Sequence, residues 1–289
     1  MKVVSFSLEE GAKYYGSIDG NRFFIGKRVP YAGGKGLMNV SGNAGQRYDR
    51  AEYREKYKFW ADFIHPTAMA EGALFHTLNT YDRAHFTFSF LQFAAHVPNG
   101  DFVIYLRRLL KELPVLAKEY FPDLEIVGTR IHRVRGNSST ELENDHSTAG
   151  IIDYLNPSLA EIEDTEIIQA ARFIHWVQND AAHRALQIDV GIDNFKKAMS
   201  GYASHYKLDG ADDIVCLLVA DIRHQGRAHD AEIFNALKAA DPASELVKLG
   251  EPRYHERLLT IKKEIKRLKD EGTLGRHRYK KDRRDFVPV

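Results

Sequence analysis

The chain contains few of the residues that stabilise secreted proteins through covalent cross-links. Among its 289 residues there is one cysteine, Cys216, and one thiol cannot form an internal disulfide. The fold therefore does not depend on an oxidising compartment. Cys216 lies in the apolar run IVCLLVA and is predicted to be a buried packing residue.

Long apolar segments are also absent from the sequence. No run of about 18 apolar residues occurs, so no segment is predicted to span a bilayer. The first twenty residues carry Glu9 and Glu10 where a signal peptide would need its apolar core. We therefore expect a protein that is synthesised in the cytoplasm without a signal peptide.

The charge balance excludes a strong electrostatic field of one sign. The formal net charge is +1, from 41 Lys and Arg against 40 Asp and Glu, and we predict no nucleic-acid partner. The tail is locally basic, with six Lys or Arg between Arg276 and Arg284. Such a tail favours an anionic partner, although a solvated, partly disordered terminus is the more common case.

The remaining pattern is mostly helical. Aromatic and aliphatic residues at spacings of three and four predict helices over 48–64 and 252–271, and further helices are expected over most of 101–121 and 158–239. The segment HFTFSFLQF alternates as a half-buried strand would, and the glycines of PYAGGKGLMNVSGNAG indicate a flexible loop. The sequence thus predicts a mainly α protein with one small β element.

Three parts of the chain differ in composition and are predicted as domains. Residues 1–49 form a Gly- and Tyr-rich N-terminal arm, residues 50–250 a catalytic domain, and residues 251–289 a C-terminal helix with the basic tail.

Two carboxyls stand in contrasting sequence settings. Glu71 is surrounded by Met69, Ala70, Ala73, Leu74 and Phe75 at a predicted helix end, next to Gly72. Asp82 lies in the polar turn YDRA, where solvent and Arg83 are expected to keep it ionised. A carboxyl that keeps its proton in an apolar setting and a second one that stays ionised are the acid and base that glycosidic hydrolysis needs. Thr87 could hold the attacking water.

This order of residues resembles the lysozyme superfamily. Phage-type lysozymes have Glu-Gly at a helix end, then a turn with Asp, then an aromatic-Thr hairpin. Bacterial chitosanases are similar in the gap between Asp82 and Thr87, and the likeness covers residues 70–110. Ser89 stands where both families usually have Gly.

The resemblance implies a fold and a reaction. It implies a lysozyme-like α+β domain with a small β-hairpin at the active-site cleft. Glu71 would be the general acid, Asp82 the general base and Thr87 the water-positioning residue of an inverting hydrolysis of β-1,4 bonds in an amino-sugar polymer. Neither a cofactor nor a metal is expected. The residues predicted to contact substrate are Tyr81, Arg83, Gln92 and His96.

The polysaccharide is predicted from local charge. Arg83, Arg107, Arg108 and the basic tail favour the anionic polymer peptidoglycan, and hence a muramidase-like activity, over the cationic polymer chitosan. An enzyme without a signal peptide would have to be released or delivered to the cell wall by a non-classical route.

Other functions stay open at this point. Gln92 also resembles a position of lytic transglycosylases, which work with one Glu and no Asp. His224, His229 and Asp230 give a His-Asp doublet of the kind found in metal-dependent phosphohydrolases, with His175 or His183 and Asp241 as possible additional ligands. A non-catalytic wall-binding module would keep the shape without the chemistry.

Overall fold

A computed structural model of the chain describes residues 1–40 and 45–289. These residues form an α+β protein with 45% helix and 21% strand, so the prediction of a mainly α fold is wrong. The chain divides into two compact units. The first comprises Met1–Arg47 and Gly72–Val190, and the second comprises Tyr48–Glu71 and Gly191–Val289.

A seven-stranded antiparallel sheet dominates the first unit. Each strand pairs with the next one in sequence, so the sheet is a meander. Tight turns make this possible: at the turn between the second and third strands, Asp19 and Gly20 both have positive φ, as a two-residue hairpin turn requires. The strands are β1 (Ser5–Glu9), β2 (Lys13–Ile18), β3 (Asn21–Tyr31), β4 (Gly34–Asn39), β5 (Leu78–Asn79), β6 (Thr87–Phe88) and β7 (Phe93–Ala94).

Four of these strands come from the segment predicted as an N-terminal arm. The predicted flexible loop is wrong over residues 34–39, which form β4, while residues 41–44 of that loop lie outside the described residues. In β4 the glycine at position 36 is needed for close packing and not for flexibility. A Cβ on Gly36 would come within 2.8 Å of the backbone of Thr80 and Tyr81, so the glycine allows close approach between segments of the chain. The predicted domain boundaries stay a prediction.

The segment HFTFSFLQF is not one half-buried strand. It forms β6 and then turns back into β7, with positive φ at Ser89 (101°) and Gln92 (55°). Phe86, Phe88 and Phe90 are fully buried, and the residues between and after them, Thr87, Ser89 and Leu91, are buried as well, so neither face of the segment is exposed. The alternating phenylalanines therefore belong to a dense aromatic core, and not to a strand with one face in solvent.

The rest of the first unit is a three-stranded antiparallel sheet and a set of helices. Helices cover most of 101–121, as predicted, and they are divided before Pro114. A second break, at Asp180, divides the helices expected over 158–239. The strands are β8 (Leu124–Val127), β9 (Arg130–Arg135) and β10 (Ser138–Glu141). The helices are α4 (Asp101–Glu112), α5 (Pro114–Tyr120), α6 (Ala149–Leu155) and α7 (Asp164–Asn179), followed by α8 (Ala181–His205), whose residues from 191 onward belong to the second unit.

The second unit is mostly helical. The sequence predicts an apolar stripe on its last helix, formed by Leu258, Ile261, Ile265 and Leu268. Leu258, Ile261 and Leu268 are fully buried in the core and Ile265 is partly buried. Its helices are α1 (Arg50–Tyr57), α2 (Phe59–Phe63), α3 (His65–Ala70), α9 (Asp213–Gln225), α10 (Asp230–Leu237), α11 (Pro242–Leu246) and α12 (His255–Asp270). None of the helices among the described residues combines the length and apolarity that crossing a membrane requires.

The basic tail is an ordered hairpin, which corrects the expectation of a partly disordered terminus. Strands β11 (His277–Lys280) and β12 (Asp285–Pro288) pair with each other. The Phe286 ring lies 4.8 Å from that of Phe63 and 5.3 Å from that of Trp60, centroid to centroid. The carboxylate of Asp213, which is fully buried, accepts hydrogen bonds from the N–H groups of Gly275 (2.8 Å) and His277 (3.0 Å). Apolar residues between the charges anchor the tail.

Phe286→Ala is expected to lower the free energy of unfolding by about 3–5 kcal/mol, because it leaves a cavity among buried aromatic rings. Urea denaturation followed by fluorescence measures the effect. Val289→Ala is the control, since Val289 is 83% exposed. Equal stability of the two variants would mean that the tail does not pack as described.

Candidate functional site

Glu71 ends helix α3 as the sequence predicts. The helix begins at His65, with Pro66 in its first turn. The Glu71 N–H donates to the Thr67 carbonyl oxygen (3.1 Å), and Gly72 follows with a φ of +90° that stops the helix. The Glu71 side chain is 7% exposed. The chain therefore presents a nearly buried carboxyl at a helix end.

Charged partners surround that carboxyl, where the sequence indicated an apolar setting. Arg257 Nη1 donates to Glu71 Oε1, and Arg257 Nη2 donates to Asp221 Oδ1 over 2.6 Å. Asp221 Oδ2 in turn accepts from Arg227 Nη2 (3.0 Å). Asp221 and Arg227 have no exposed side-chain surface. These four residues, together with Thr67, whose hydroxyl donates to Asp221 Oδ1 (3.1 Å), are called the Arg257 cluster.

The charges in the Arg257 cluster balance one another. Burial raises the pKa of Asp221, but the guanidinium groups of Arg257 and Arg227 outweigh burial, so the pKa is lowered overall. Two carboxylates and two guanidiniums together carry no net charge, which is what a buried ionic group requires. The cluster joins α3, α9 and α12 and fixes the position of the Glu71 carboxyl within the second unit.

Arg257, Asp221 and Arg227 are not among the residues that the sequence predicts for the site. A signal was available for Asp221, because it stands in the otherwise apolar helix IVCLLVADI, where a buried acid needs a cationic partner. Nothing in the sequence identifies which arginines supply it.

Asp82 belongs to the first unit and organises the turn between β5 and β6. Its Oδ1 accepts from the Ala84 N–H (2.9 Å) and its Oδ2 accepts from Asn79 Nδ2 (3.0 Å). These bonds fix the orientation of the Asp82 carboxylate. Each of its oxygens has a second lone pair and can accept a further hydrogen bond. Thr87 is buried on β6, opposite Asn79.

The predicted substrate-contacting residues have different settings. The Tyr81 ring lies 5.5 Å from the Tyr31 ring, centroid to centroid. Arg83 is exposed, and Gln92 and His96 are partly buried. Because Glu71 and Asp82 lie in different units, the structure describes each carboxyl within its own unit, and their joint action stays a prediction.

A third carboxyl lies beneath the turn that carries Asp82. Glu166, on α7, is fully buried and accepts hydrogen bonds from the Thr80 hydroxyl and from the Leu37 N–H (3.2 Å). Burial raises the pKa of Glu166 to about 7. Asn156, also fully buried, donates to the carbonyl oxygens of Thr80 (2.9 Å) and His85 (2.8 Å). Buried polar groups therefore hold the turn at both ends.

The histidine doublet has structural roles. His229 caps α10, and Asp230 accepts hydrogen bonds from Tyr206 (2.6 Å), Arg223 (2.9 Å) and His205 (3.1 Å). His224 Nε2 lies 3.8 Å from Glu71 Oε1. Within residues 1–40 and 45–289, no three His, Cys, Asp or Glu side chains are grouped as a metal site would need.

Comparisons with known proteins give no relative. No protein-family model, no curated protein and no solved structure matches the chain. The function is therefore argued from the residues and their geometry.

Arg257→Ala is expected to lower the free energy of unfolding by about 3–5 kcal/mol, because the nearly buried Glu71 loses its arginine and Asp221 keeps only Arg227. Arg253→Ala, at an exposed position near the start of α12, is the control. The loss should be smaller when Arg257→Ala is introduced into a Glu71→Gln background, since one of the two charges is then absent. Equal losses in both backgrounds, measured by urea denaturation, would contradict the pairing.

Glu166→Gln tests the raised pKa of the buried carboxyl through the pH dependence of stability. Because the folded pKa of about 7 exceeds the ordinary value of 4.5, Glu166 favours folding below pH 4.5, and this contribution is lost as the pH rises to about 7. Glutamine does not titrate. Relative to the natural protein, the variant should therefore gain about 3 kcal/mol between pH 4.5 and 8.

Chemical denaturation at a series of pH values measures that difference. Ser138→Ala, at an exposed position on β10, removes no titratable group and should give a curve parallel to that of the natural protein. A parallel curve for Glu166→Gln would show that Glu166 titrates normally in the folded chain.

Proposed function

We propose that this chain is a glycoside hydrolase that cleaves β-1,4 bonds of an amino-sugar polysaccharide, with Glu71 as the proton donor. The observation that carries the proposal is the Glu71 carboxyl itself: it is nearly buried at a helix end and held in place by Arg257. General acid catalysis needs a carboxyl in a fixed position beside the leaving oxygen.

Arg257 pairs with Asp221 as well as with Glu71, so its position does not depend on Glu71 alone. If the Glu71 carboxyl turned from Arg257 to a substrate oxygen, Arg257 would keep its bond to Asp221, and no buried guanidinium would be left without a carboxylate.

The backbone also supports the resemblance to the lysozyme superfamily. In that resemblance a glycine is usual at the position of Ser89, and Ser89 has a φ of +101°, which favours glycine. The helix ends at Glu71 and Gly72, and Asp82 lies in the turn that follows. The positive φ at Ser89 and the helix end at Glu71 support the proposal.

In the proposed reaction, Glu71 protonates the leaving oxygen and Asp82 takes a proton from the attacking water. Thr87 would position that water, and the reaction would proceed with inversion. An inverting site requires about 6.5–9.5 Å between the two carboxyls. Tyr81, Arg83, Gln92 and His96 are proposed to contact the sugar chain.

Peptidoglycan is the proposed substrate, and chitosan is the alternative. Arg107 does not favour an anionic polymer, because it pairs with Glu143, whose side chain is fully buried. The pair of Arg108 with Glu112 is more exposed and therefore weak. Arg83 is exposed, and its positive charge favours an anionic substrate.

Glu71→Gln tests the reaction, because the amide has nearly the same shape and carries no acidic proton. Hydrolysis should fall by about 10²–10⁴-fold. The rate is measured as the loss of turbidity of purified peptidoglycan and as the release of reducing ends from chitosan. Glu256→Gln, at an exposed position in the first turn of α12, should keep the natural rate.

The outcomes separate the proposed classes of protein. A Glu71→Gln variant that hydrolyses either polymer at the natural rate would exclude Glu71 as the acid. A natural protein that binds the polymer without releasing products would be a wall-binding module and not an enzyme.

A further inference from the structure

A groove lies at the turn between β3 and β4, in a part of the chain outside the lysozyme-like motif. It has a volume of about 530 Å³ and is lined by Arg28, Pro30, Tyr31 and residues 32–35. This region is called the β3–β4 groove.

The β3–β4 groove carries an exposed aromatic ring. Tyr31 is 53% exposed, although a large aromatic side chain is normally buried. Its ring is supported by the Tyr81 ring, at 5.5 Å and an angle of 52°. A supported, exposed ring offers a flat apolar face with a hydroxyl at its edge. That is the chemistry that recognises a pyranose ring, which has a face of C–H bonds and a rim of hydroxyls.

The groove is also positively charged. Arg28 Nη2 donates to the carbonyl oxygen of Gly11 (2.6 Å), a neutral acceptor that does not cancel the guanidinium charge. Lys35 pairs with Glu161, whose side chain is 71% exposed, and an ion pair so exposed to water is weak. Both cations can therefore interact with an anionic group in the groove.

The backbone of the turn is fixed before any ligand binds. The Lys35 N–H donates to the Leu159 carbonyl oxygen (2.8 Å). A Cβ on Gly34 would lie 2.0 Å from that oxygen, so only glycine allows this contact. A preformed turn lowers the entropic cost of binding a sugar chain.

We propose that the β3–β4 groove is a binding site for a glycan strand with anionic substituents, of the kind found in peptidoglycan. One sugar ring stacks on Tyr31, and Arg28 and Lys35 contact a carboxylate of the strand. The inference rests on the proposed function, because Tyr81 links the groove to the turn that carries Asp82. It goes beyond that function by assigning a glycan subsite and the charge of its ligand.

Binding to insoluble peptidoglycan tests the groove independently of catalysis. Full-length Glu71→Gln protein is sedimented with purified peptidoglycan, and the dissociation constant is measured with and without Tyr31→Ala. We expect Tyr31→Ala to weaken binding about tenfold. Tyr31→Phe, which keeps the ring, should bind within about twofold of the parent. Leu8→Ala is the matched control, because Leu8 is 48% exposed on β1 of the same sheet.

Charge is tested with a double variant, Arg28→Gln with Lys35→Gln. It should bind peptidoglycan more weakly and chitosan, a cationic polymer, at least as tightly as the parent. Preferential binding of the parent to chitosan, or a double variant that binds peptidoglycan as the parent does, would overturn the anionic ligand.

The hydrolysis assay on the natural protein keeps the two proposals distinguishable. If the natural protein hydrolyses peptidoglycan but Tyr31→Ala binds as tightly as Leu8→Ala, the groove is not a subsite and the proposed function stands. If binding depends on Tyr31 but no product forms, the groove stands as a glycan-binding site and the proposed reaction is wrong.

Discussion

The guanidinium of Arg257 lies between two buried carboxylates, those of Glu71 and Asp221, and bonds to both. Each carboxylate needs a cation because burial removes its hydration. Arg257 is in turn buried because α12 packs its apolar stripe against the core of the second unit. The position of Glu71 is therefore a consequence of helix packing and charge pairing together, and the proposed chemistry depends on both.

The sequence predicted those parts of the site that depend on local structure. A helix that ends at Glu71, and a polar turn at Asp82, follow from neighbouring residues such as Gly72. The Arg257 partner could not be predicted in this way, because 186 residues separate it from Glu71. Pairing over such a separation is set by the tertiary fold, and the sequence does not distinguish Arg257 from Arg267, the other arginine of α12.

The fold class was predicted wrongly for the same reason, because it too depends on contacts between distant parts of the chain. Glycine permits both a flexible loop and a close approach between chain segments, and only the neighbouring backbone decides between them. Gly36 has the second role, because β4 passes close to Thr80 and Tyr81. The alternating phenylalanines were also ambiguous: Phe86 and Phe88 are buried by α7 as well as by their own sheet, through contacts with Phe173. The local pattern predicted the end of α3 at Glu71, but not which surfaces bury a segment.

The two units use buried charge in different ways. In the second unit, Asp221 keeps its pKa low because cations outweigh burial. In the first unit, Glu166 is held by the Thr80 hydroxyl and a backbone N–H, which are neutral donors, and burial raises its pKa to about 7. Neutral donors stabilise a carboxylate less than a guanidinium does. The turn at Asp82 thus rests on a group that can titrate near neutral pH, whereas the carboxyl of Glu71 is held by an arginine that stays charged.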